Sequence, residues 1–140
     1  TPPPTRKRLH SVAPESGEVA GLVSSLRDYR LAWLLNRHLD WNLVRTEDLT
    51  PNAPEGEGFA RFTGECPVDK SSFCLISNRF SGAYLLPEQK SFDYFLLVQG
   101  GWYEEHFALL LDRIRPLPDV LTVFHVQPPK VKQRLNVLLE

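Results

Sequence analysis

Hydrophobic and polar residues change their spacing along this chain, and each change marks the boundary of a predicted element. The densest apolar run is Tyr94–Val98 (YFLLV), which is closed by the turn residues Gln99-Gly100-Gly101. An unbroken apolar run of this length between turn residues is typical of a strand buried on both faces. We therefore predict a strand over Phe92–Gln99 and expect the rest of the fold to be built around it.

Shorter apolar or alternating stretches predict five more strands. In FARFTGE, apolar and polar residues mix in a way that places one face of a strand in solvent. The acidic stretch Glu47–Gly58, with its prolines and glycines, is predicted to be a loop, and Asn78–Gly82 a turn. The predicted strands are Glu18–Ser24, Leu43–Thr46, Phe59–Glu65, Ser72–Ser77 and Val120–Val126.

The stretch SSLRDYRLAWLLNRHL predicts the first helix, because its apolar residues recur at helical spacing. Its apolar band is wide and includes Tyr29 and Trp33. We therefore expect most of this helix to be covered by the rest of the protein. Arg30 and Arg37 are predicted to lie on its outer side.

A second, amphipathic helix is predicted over Tyr103–Arg115, whose apolar residues fall at i, i+3, i+4 and i+7. Acidic residues stand in its first turn and basic residues in its last turn, an arrangement that favours the helix macrodipole. Pro116 is expected to end the helix. The stretch Lys130–Leu139 is predicted to be either a last short helix or a tail that packs against the core.

The predicted order of elements is β-α-β-β-β-β-α-β, which indicates an α+β protein with an antiparallel or mixed sheet and two main helices. Two strand–helix–strand halves are typical of a ferredoxin-like arrangement, here with an inserted hairpin between the halves. The second half is also similar to the end of an ACT-type regulatory domain. Residues 17–140 are expected to form this single domain. Residues 1–16, rich in Pro and basic residues, are expected to form a flexible arm.

Composition places the chain among ordinary globular proteins and disfavours several function classes. Hydrophobic residues make up 42% of the chain, charged residues make up 24%, and the formal net charge is −1. A near-neutral chain has no global field that recruits nucleic acid or an anionic membrane. No apolar run approaches the roughly 20 residues of a membrane span, so we expect no membrane partner. Two cysteines are too few for a disulfide framework, and we expect a cytoplasmic protein.

Motifs that carry catalytic or cofactor chemistry are absent from the sequence. Neither glycine-rich phosphate-binding pattern occurs. The four histidines stand at positions 10, 38, 106 and 125, without the spacing of metal ligands. The serines and cysteines lack the local signatures of known nucleophiles. We therefore predict a non-enzymatic protein with no cofactor and no metal.

Polar residues at two entrances to the predicted core are the candidates for a binding site. One group, Glu88 with Asp93-Tyr94, stands at the entrance to the central strand. A carboxylate that enters a buried strand must be paired or hydrogen-bonded, and we expect Arg27 or Arg30 to pair with it. The second group, Asp28-Tyr29-Arg30, lies at the start of the first helix. A structural role in fixing turns and a role in binding a ligand or partner are both compatible with these residues. The predicted binding residues are Asp28, Tyr29, Arg30, Asn36, Pro87, Glu88, Asp93 and Tyr94.

The same residues give the chain a resemblance to the bacterial IPExxVDY family, whose members have no established activity. The resemblance lies in LPEQKSFDY, which ends in Asp93-Tyr94, in DYRLAW with Asn36, and in the closing VLTVFHVQPPKVKQRLN. Leu86 stands where the family motif has Ile, and Phe92 where it has Val. Three residues rather than two separate Glu88 from Phe92. The resemblance implies a cytoplasmic bacterial protein and does not indicate a substrate.

Three hypotheses for function follow from these observations. The leading one is an interaction or adaptor module that binds another protein or a second copy of itself. It rests on the missing catalytic constellation and on aromatic residues that can reach the surface, namely Trp41, Phe80, Trp102 and Tyr103. The basic segments Arg6-Lys7-Arg8 and KVKQR suggest an RNA-associated accessory protein instead. The third hypothesis is an ACT-like sensor of a small metabolite, whose identity is unknown.

Overall fold

The computed structural model describes residues 17–50, 58–126 and 129–139 of the chain. The predicted arm at residues 1–16 and most of the predicted loop at residues 47–58 lie outside the described residues. The strands are β1 (Glu18–Ser24), β2 (Val44–Arg45), β3 (Arg61–Glu65), β4 (Ser72–Ser77), β5 (Arg79–Phe80), β6 (Ala83–Tyr84), β7 (Tyr94–Gln99) and β8 (Val120–His125). The helices are α1 (Asp28–Leu39), α2 (Gly101–Glu105), α3 (Phe107–Ile114) and α4 (Pro129–Leu139), with a 3-10 turn at Pro87–Gln89.

Six strands form one sheet in the order β2-β3-β4-β7-β1-β8, and every neighbouring pair is antiparallel. β7 lies between β4 and β1, with Leu96 opposite Leu75 on one side and Ala20 on the other. All residues of Tyr94–Val98 are buried. The predicted central strand is therefore confirmed, as is the α+β class. β5 and β6 form a separate hairpin where the sequence predicted only a turn.

Each face of the sheet is apolar, and each is covered by another layer of the protein. On one face, α1 and α3 pack over the β7 residues Tyr94, Leu96 and Val98. On the other face, α4 and the segment before β7 pack over Phe95 and Leu97. Successive side chains of a strand point to opposite faces, so an unbroken apolar run is what a strand between two covered faces requires.

α1 is less completely covered than its wide apolar band predicted. Leu31 and Leu35 are fully buried, whereas Tyr29 is 57% exposed and Trp33 is 53% exposed. Two positions along an α-helix differ by about 200° around its axis. The residues that stand two positions before the buried leucines therefore point away from the sheet. The prediction that these two aromatic residues lie in a covered band is wrong.

The second predicted helix is divided at His106 into α2 and α3. The His106 N–H donates to the carbonyl oxygen of Trp102 at 2.9 Å, and Nδ1 of its ring lies 3.0 Å from the same oxygen. The backbone of His106 leaves the helical region at φ −118° and ψ 43°. The final segment forms α4, one of the two predicted alternatives, and buries Val131 and Leu135.

Two of the four aromatic residues expected at the surface belong instead to the core. Trp41 is buried and stacks on Phe73 with ring centroids 3.8 Å apart. Tyr103 packs edge-on against both rings, at centroid distances of 5.6 Å and 5.4 Å. Trp102 is exposed on α2, as predicted.

Candidate functional site

Asp93 stands immediately before β7 and is fixed by two other segments. Its carboxylate accepts a hydrogen bond from the Ser24 N–H at 2.9 Å and pairs with the Arg79 guanidinium at 2.8 Å. The prediction that this carboxylate must be paired or hydrogen-bonded is confirmed. Its cationic partner, however, is Arg79 of the unpredicted hairpin and not Arg27 or Arg30. Asp93 thereby joins β1, β5 and the start of β7.

Tyr94, the first residue of β7, connects the central strand to the segment before α1. Its hydroxyl donates to the carbonyl oxygen of Leu26 at 2.6 Å. Burial raises the pKa of this phenol, and the negative charges of Asp28 and Asp93 raise the pKa further. The phenol therefore stays protonated to a higher pH than that of an exposed tyrosine. Asp93 and Tyr94 are thus brought together at one end of the sheet, where each is hydrogen-bonded to another segment of the protein. Asp28, the first residue of α1, lies near enough for its charge to act on Tyr94.

Asn78 is fully buried and organises the segment that precedes β7. Its side-chain amide donates to the carbonyl oxygens of Gln89 at 3.0 Å and Phe92 at 2.9 Å. Its Oδ1 accepts the N–H of Leu86 at 2.8 Å. The amide therefore uses both of its donor hydrogens and its acceptor inside the protein. An Asn after an apolar strand predicts a turn and gives no sign of burial, so the sequence did not reveal this role.

The other predicted residues lie apart from the group around Tyr94. Glu88 is exposed on the 3-10 turn and pairs with Arg134 of α4, a surface pair of small energetic weight. Asn36 exchanges two hydrogen bonds with Leu43, whose carbonyl oxygen accepts at 3.0 Å and whose N–H donates at 2.8 Å. These two bonds hold the turn after α1. Pro87 is exposed beside Glu88.

The exposed side of α1 forms a second candidate surface, the α1 outer face, which consists of Tyr29, Arg30, Trp33 and Arg37. The guanidinium carbons of Arg30 and Arg37 lie 6.0 Å and 5.5 Å from the centroid of the Trp33 ring. Cations at such distances are attracted to the electron-rich ring, which positions both side chains. The predicted binding residues Tyr29 and Arg30 belong to this surface, together with Trp33 and Arg37, which were not predicted as binding residues.

A shallow pocket opens beside Trp33, between α1 and the turn before β8. Its volume is ≈ 160 Å³. Pockets that hold whole small-molecule ligands have volumes of roughly 300–1,000 Å³. The pocket is therefore smaller than the usual site for a whole small molecule, and its volume is that of about one side chain. Its lining residues are Leu26, Arg30, Trp33, Leu34, Pro118 and Asp119.

The arginines on α1 form no ion pair with a carboxylate of the described residues, whereas most of the other described arginines do. Four described arginines each pair with a carboxylate, namely Arg45, Arg79, Arg115 and Arg134. Within the described part of the chain, Arg30 and Arg37 form no ion pair, and the same holds for Arg27, Arg61 and Arg113. The α1 outer face therefore presents two guanidinium groups that form no ion pair with a described carboxylate.

Of the two basic segments that suggested RNA binding, only KVKQR lies within the described residues. Lys132 donates to the carbonyl oxygen of Gly17 at 3.1 Å, and Arg134 pairs with Glu88. Residues 6–8 lie outside the described residues. Over residues 17–50, 58–126 and 129–139 there is also no group of three or more His, Cys, Asp or Glu side chains placed to hold a metal ion.

Comparisons with protein-family models, curated proteins and solved structures found no match to this chain. None of the described helices is both long enough and apolar enough to cross a membrane. The assignment of a candidate site therefore depends on the geometry of the described residues. By that criterion the group around Tyr94 is internally satisfied, and the α1 outer face is open to a partner.

Proposed function

We propose that this protein is a non-enzymatic interaction module that binds a protein partner on the α1 outer face. The observation that carries the proposal is the exposure of Tyr29 and Trp33, each more than half exposed on the same helix. They stand one helical turn apart, so their rings lie on one side of α1. A single exposed aromatic residue needs no explanation, but adjacent exposed aromatic residues are a feature of binding surfaces.

The composition and anchoring of the α1 outer face support a protein partner. Trp, Tyr and Arg are the residue types most enriched at binding hot spots. The opposite side of α1 is fixed in the core through Leu31 and Leu35. A contact surface on a firmly packed helix loses little conformational entropy when the partner binds. The surface is therefore suited to direct contact without prior rearrangement.

A ferredoxin-like core, cytoplasmic location and relation to the IPExxVDY family are finer parts of the same proposal. The first is supported by the strand order β8-β1-β7-β4, with α1 after β1 and α2–α3 after β7. β2 and β3 are then the inserted strands at one edge. The second is supported by the free thiols of Cys66 and Cys74. The third is supported by the motifs DYRLAW and LPEQKSFDY.

The two alternative functions have less support. The pocket beside Trp33 is smaller than the usual site for a whole metabolite. Lys132 and Arg134, which belong to one of the basic segments, have intramolecular partners. A protein partner accounts for the exposed aromatic pair and for the small pocket together.

The proposal is tested by site-specific photo-crosslinking in native cells. A photo-reactive phenylalanine analogue replaces Tyr29, and a matched chain carries it at Trp102, an exposed aromatic residue on α2. We expect a defined protein adduct from position 29 that disappears when Trp33→Ala is added. The same adducts from both positions, or an adduct from position 29 that survives Trp33→Ala, would contradict the proposal.

A further inference from the structure

We propose that the partner presents an acidic segment with one apolar anchor side chain. The carboxylates bind Arg30 and Arg37, and the anchor enters the pocket beside Trp33. This inference rests on the proposed function and specifies the chemistry of the partner. It follows from three properties of the α1 outer face: its unpaired guanidinium groups, the apolar walls of its pocket, and the position of a carboxylate at the pocket's rim.

The guanidinium groups set the charge of the partner. Arg30 and Arg37 have no carboxylate partner among the described residues, and both lie against the ring of Trp33. Stacking leaves the N–H groups of a guanidinium free to donate in the plane of the group. Those N–H groups match the two oxygens of a carboxylate. An acidic side chain on either side of Trp33 therefore finds a positioned donor.

The pocket sets the apolar part of the partner. Leu26, Leu34 and Pro118 supply apolar walls, and the half-exposed ring of Trp33 supplies another. The volume of ≈ 160 Å³ admits one aliphatic or aromatic side chain. Burying such a side chain removes its surface and part of the Trp33 surface from water, which favours binding. The same residue is thereby both a wall for the anchor and a support for the two arginines.

A peptide fits this surface better than a nucleic-acid strand does. Asp119 lines the pocket, and Asp28 lies at the start of the same helix. A peptide can carry carboxylates opposite Arg30 and Arg37 and none opposite Asp119. At that position it can instead present an N–H group. A nucleic-acid strand carries a phosphate on every nucleotide and brings negative charge close to these two carboxylates. The distribution of charge therefore favours the peptide.

The test uses the full chain to select from a displayed library of random 12-residue peptides. We expect enrichment of peptides in which Asp or Glu residues flank a Leu, Ile or Phe. A selected peptide, labelled with a fluorophore, is then titrated with the wild-type chain and with Arg30→Gln/Arg37→Gln. We expect affinity to fall about tenfold or more in the double variant, since a charge-assisted contact is worth at least that factor. Arg113→Gln, which removes another unpaired exposed arginine, should leave the affinity unchanged.

Several outcomes would overturn the inference. Enrichment of neutral or basic peptides would assign another chemistry to the partner, and an equal loss of affinity in Arg113→Gln would place the contact elsewhere. Binding of oligouridylate that is lost in Arg30→Gln/Arg37→Gln would assign the face to RNA. Self-association in sedimentation that is lost in Trp33→Ala would assign it to a second copy of the chain. If photo-crosslinking succeeds while acidic peptides fail, the partner chemistry is wrong and the proposed function stands.

Discussion

The buried amide of Asn78 and the α1 outer face show two opposite ways of placing polar groups beside an apolar core. Asn78 turns inward, and the protein itself supplies all three of its hydrogen-bond partners. On α1, Arg30 and Arg37 turn outward beside a half-exposed indole and pair with no described carboxylate. The hydrogen bonds of the first region are complete within the chain, whereas the second region is exposed, and we propose that a partner covers it. Substitutions in the two regions should therefore separate stability from binding.

The largest effect is expected from Asn78→Asp, which replaces two amide donors by an acceptor that faces two carbonyl oxygens. We expect the free energy of unfolding at neutral pH to fall by about 3 kcal/mol or more, because the buried carboxylate keeps only the Leu86 N–H as a donor and its second oxygen faces two carbonyl oxygens. Burial raises the pKa of the introduced carboxyl, so the variant should regain stability as the pH is lowered. Urea unfolding at pH 7 and pH 5 measures both effects.

Asn42→Asp is the matched control for this prediction. Asn42 is exposed, and its Oδ1 accepts the Glu65 N–H at 3.0 Å, a bond that a carboxylate can also accept. We expect a change within about 0.5 kcal/mol. An Asn78→Asp protein as stable as this control would show that the three side-chain bonds of Asn78 do not organise the segment before β7.

A smaller loss is expected from Asp93→Asn. The variant keeps an oxygen that accepts the Ser24 N–H but removes the charge that pairs with Arg79. We expect the free energy of unfolding to fall by about 1–2 kcal/mol. Asp112→Asn is the control, since its pair with Arg115 is exposed and should contribute about 0–0.5 kcal/mol. Equal losses from the two variants in thermal or urea unfolding would argue against a special role for Asp93.

Tyr94→Phe tests the bond between the central strand and the segment before α1. Its loss should cost about 1 kcal/mol at neutral pH. The folded protein raises the pKa of Tyr94 above its ordinary value of about 10, so the stabilisation is present below that pH and is lost as the pH rises above it. Wild-type stability should therefore fall above about pH 10, and Tyr94→Phe should lack that part of the decline.

The alkaline experiment needs a background without the buried thiol. Burial raises the pKa of Cys74 to about 11, so this thiol adds its own loss of stability from about pH 8.5 upward. Urea unfolding from pH 7 to pH 11 is therefore compared between Cys74→Ala and Cys74→Ala/Tyr94→Phe. Tyr29→Phe in the same background is the control, because its ring is exposed. Parallel alkaline slopes with and without the Tyr94 hydroxyl would refute the assignment.

The smallest effect on stability is expected from Trp33→Ala. Its ring is half exposed and Ala favours the helix, so the free energy of unfolding should fall by no more than about 1 kcal/mol. Trp41→Ala, which removes a buried ring stacked on Phe73, should cost about 3–5 kcal/mol. Thermal unfolding of the two variants measures the contrast. A large loss of stability in Trp33→Ala would show that the residue serves the fold rather than a partner.

The sequence predicts the sheet better than it predicts the surface. The run Tyr94–Val98 consists of aromatic and aliphatic residues, a pattern typical of a strand between two covered faces, so its burial was predictable from residue type. Tyr29 and Trp33 also have large, mainly apolar side chains, yet their exposure depends on the exact angle that α1 presents to the sheet. A helical pattern with many apolar residues does not fix that angle.

The hydrogen-bond and ion-pair partners of the candidate residues could not be predicted, because they come from segments that are distant in sequence. The need of Asp93 for a partner was predictable from its place beside a buried strand. Its pairing with Arg79 depends on the β5–β6 hairpin, of which the sequence predicted the turn but not the strands. The burial of Asn78 depends on how residues 86–92 fold back over it. Local sequence patterns carry no information about such contacts between residues that are far apart in the sequence.

The position of β1 between β7 and β8 has a consequence for how the protein is made. Glu18–Ser24 is the first described strand to leave the ribosome, but its two neighbours are synthesised much later. Until Tyr94–Gln99 has emerged, β1 has neither edge paired and α1 has no complete sheet to cover. The amino-terminal third of the chain must therefore wait for the carboxyl-terminal third, and a chain stalled before β7 exposes an unpaired apolar strand to chaperones and proteases.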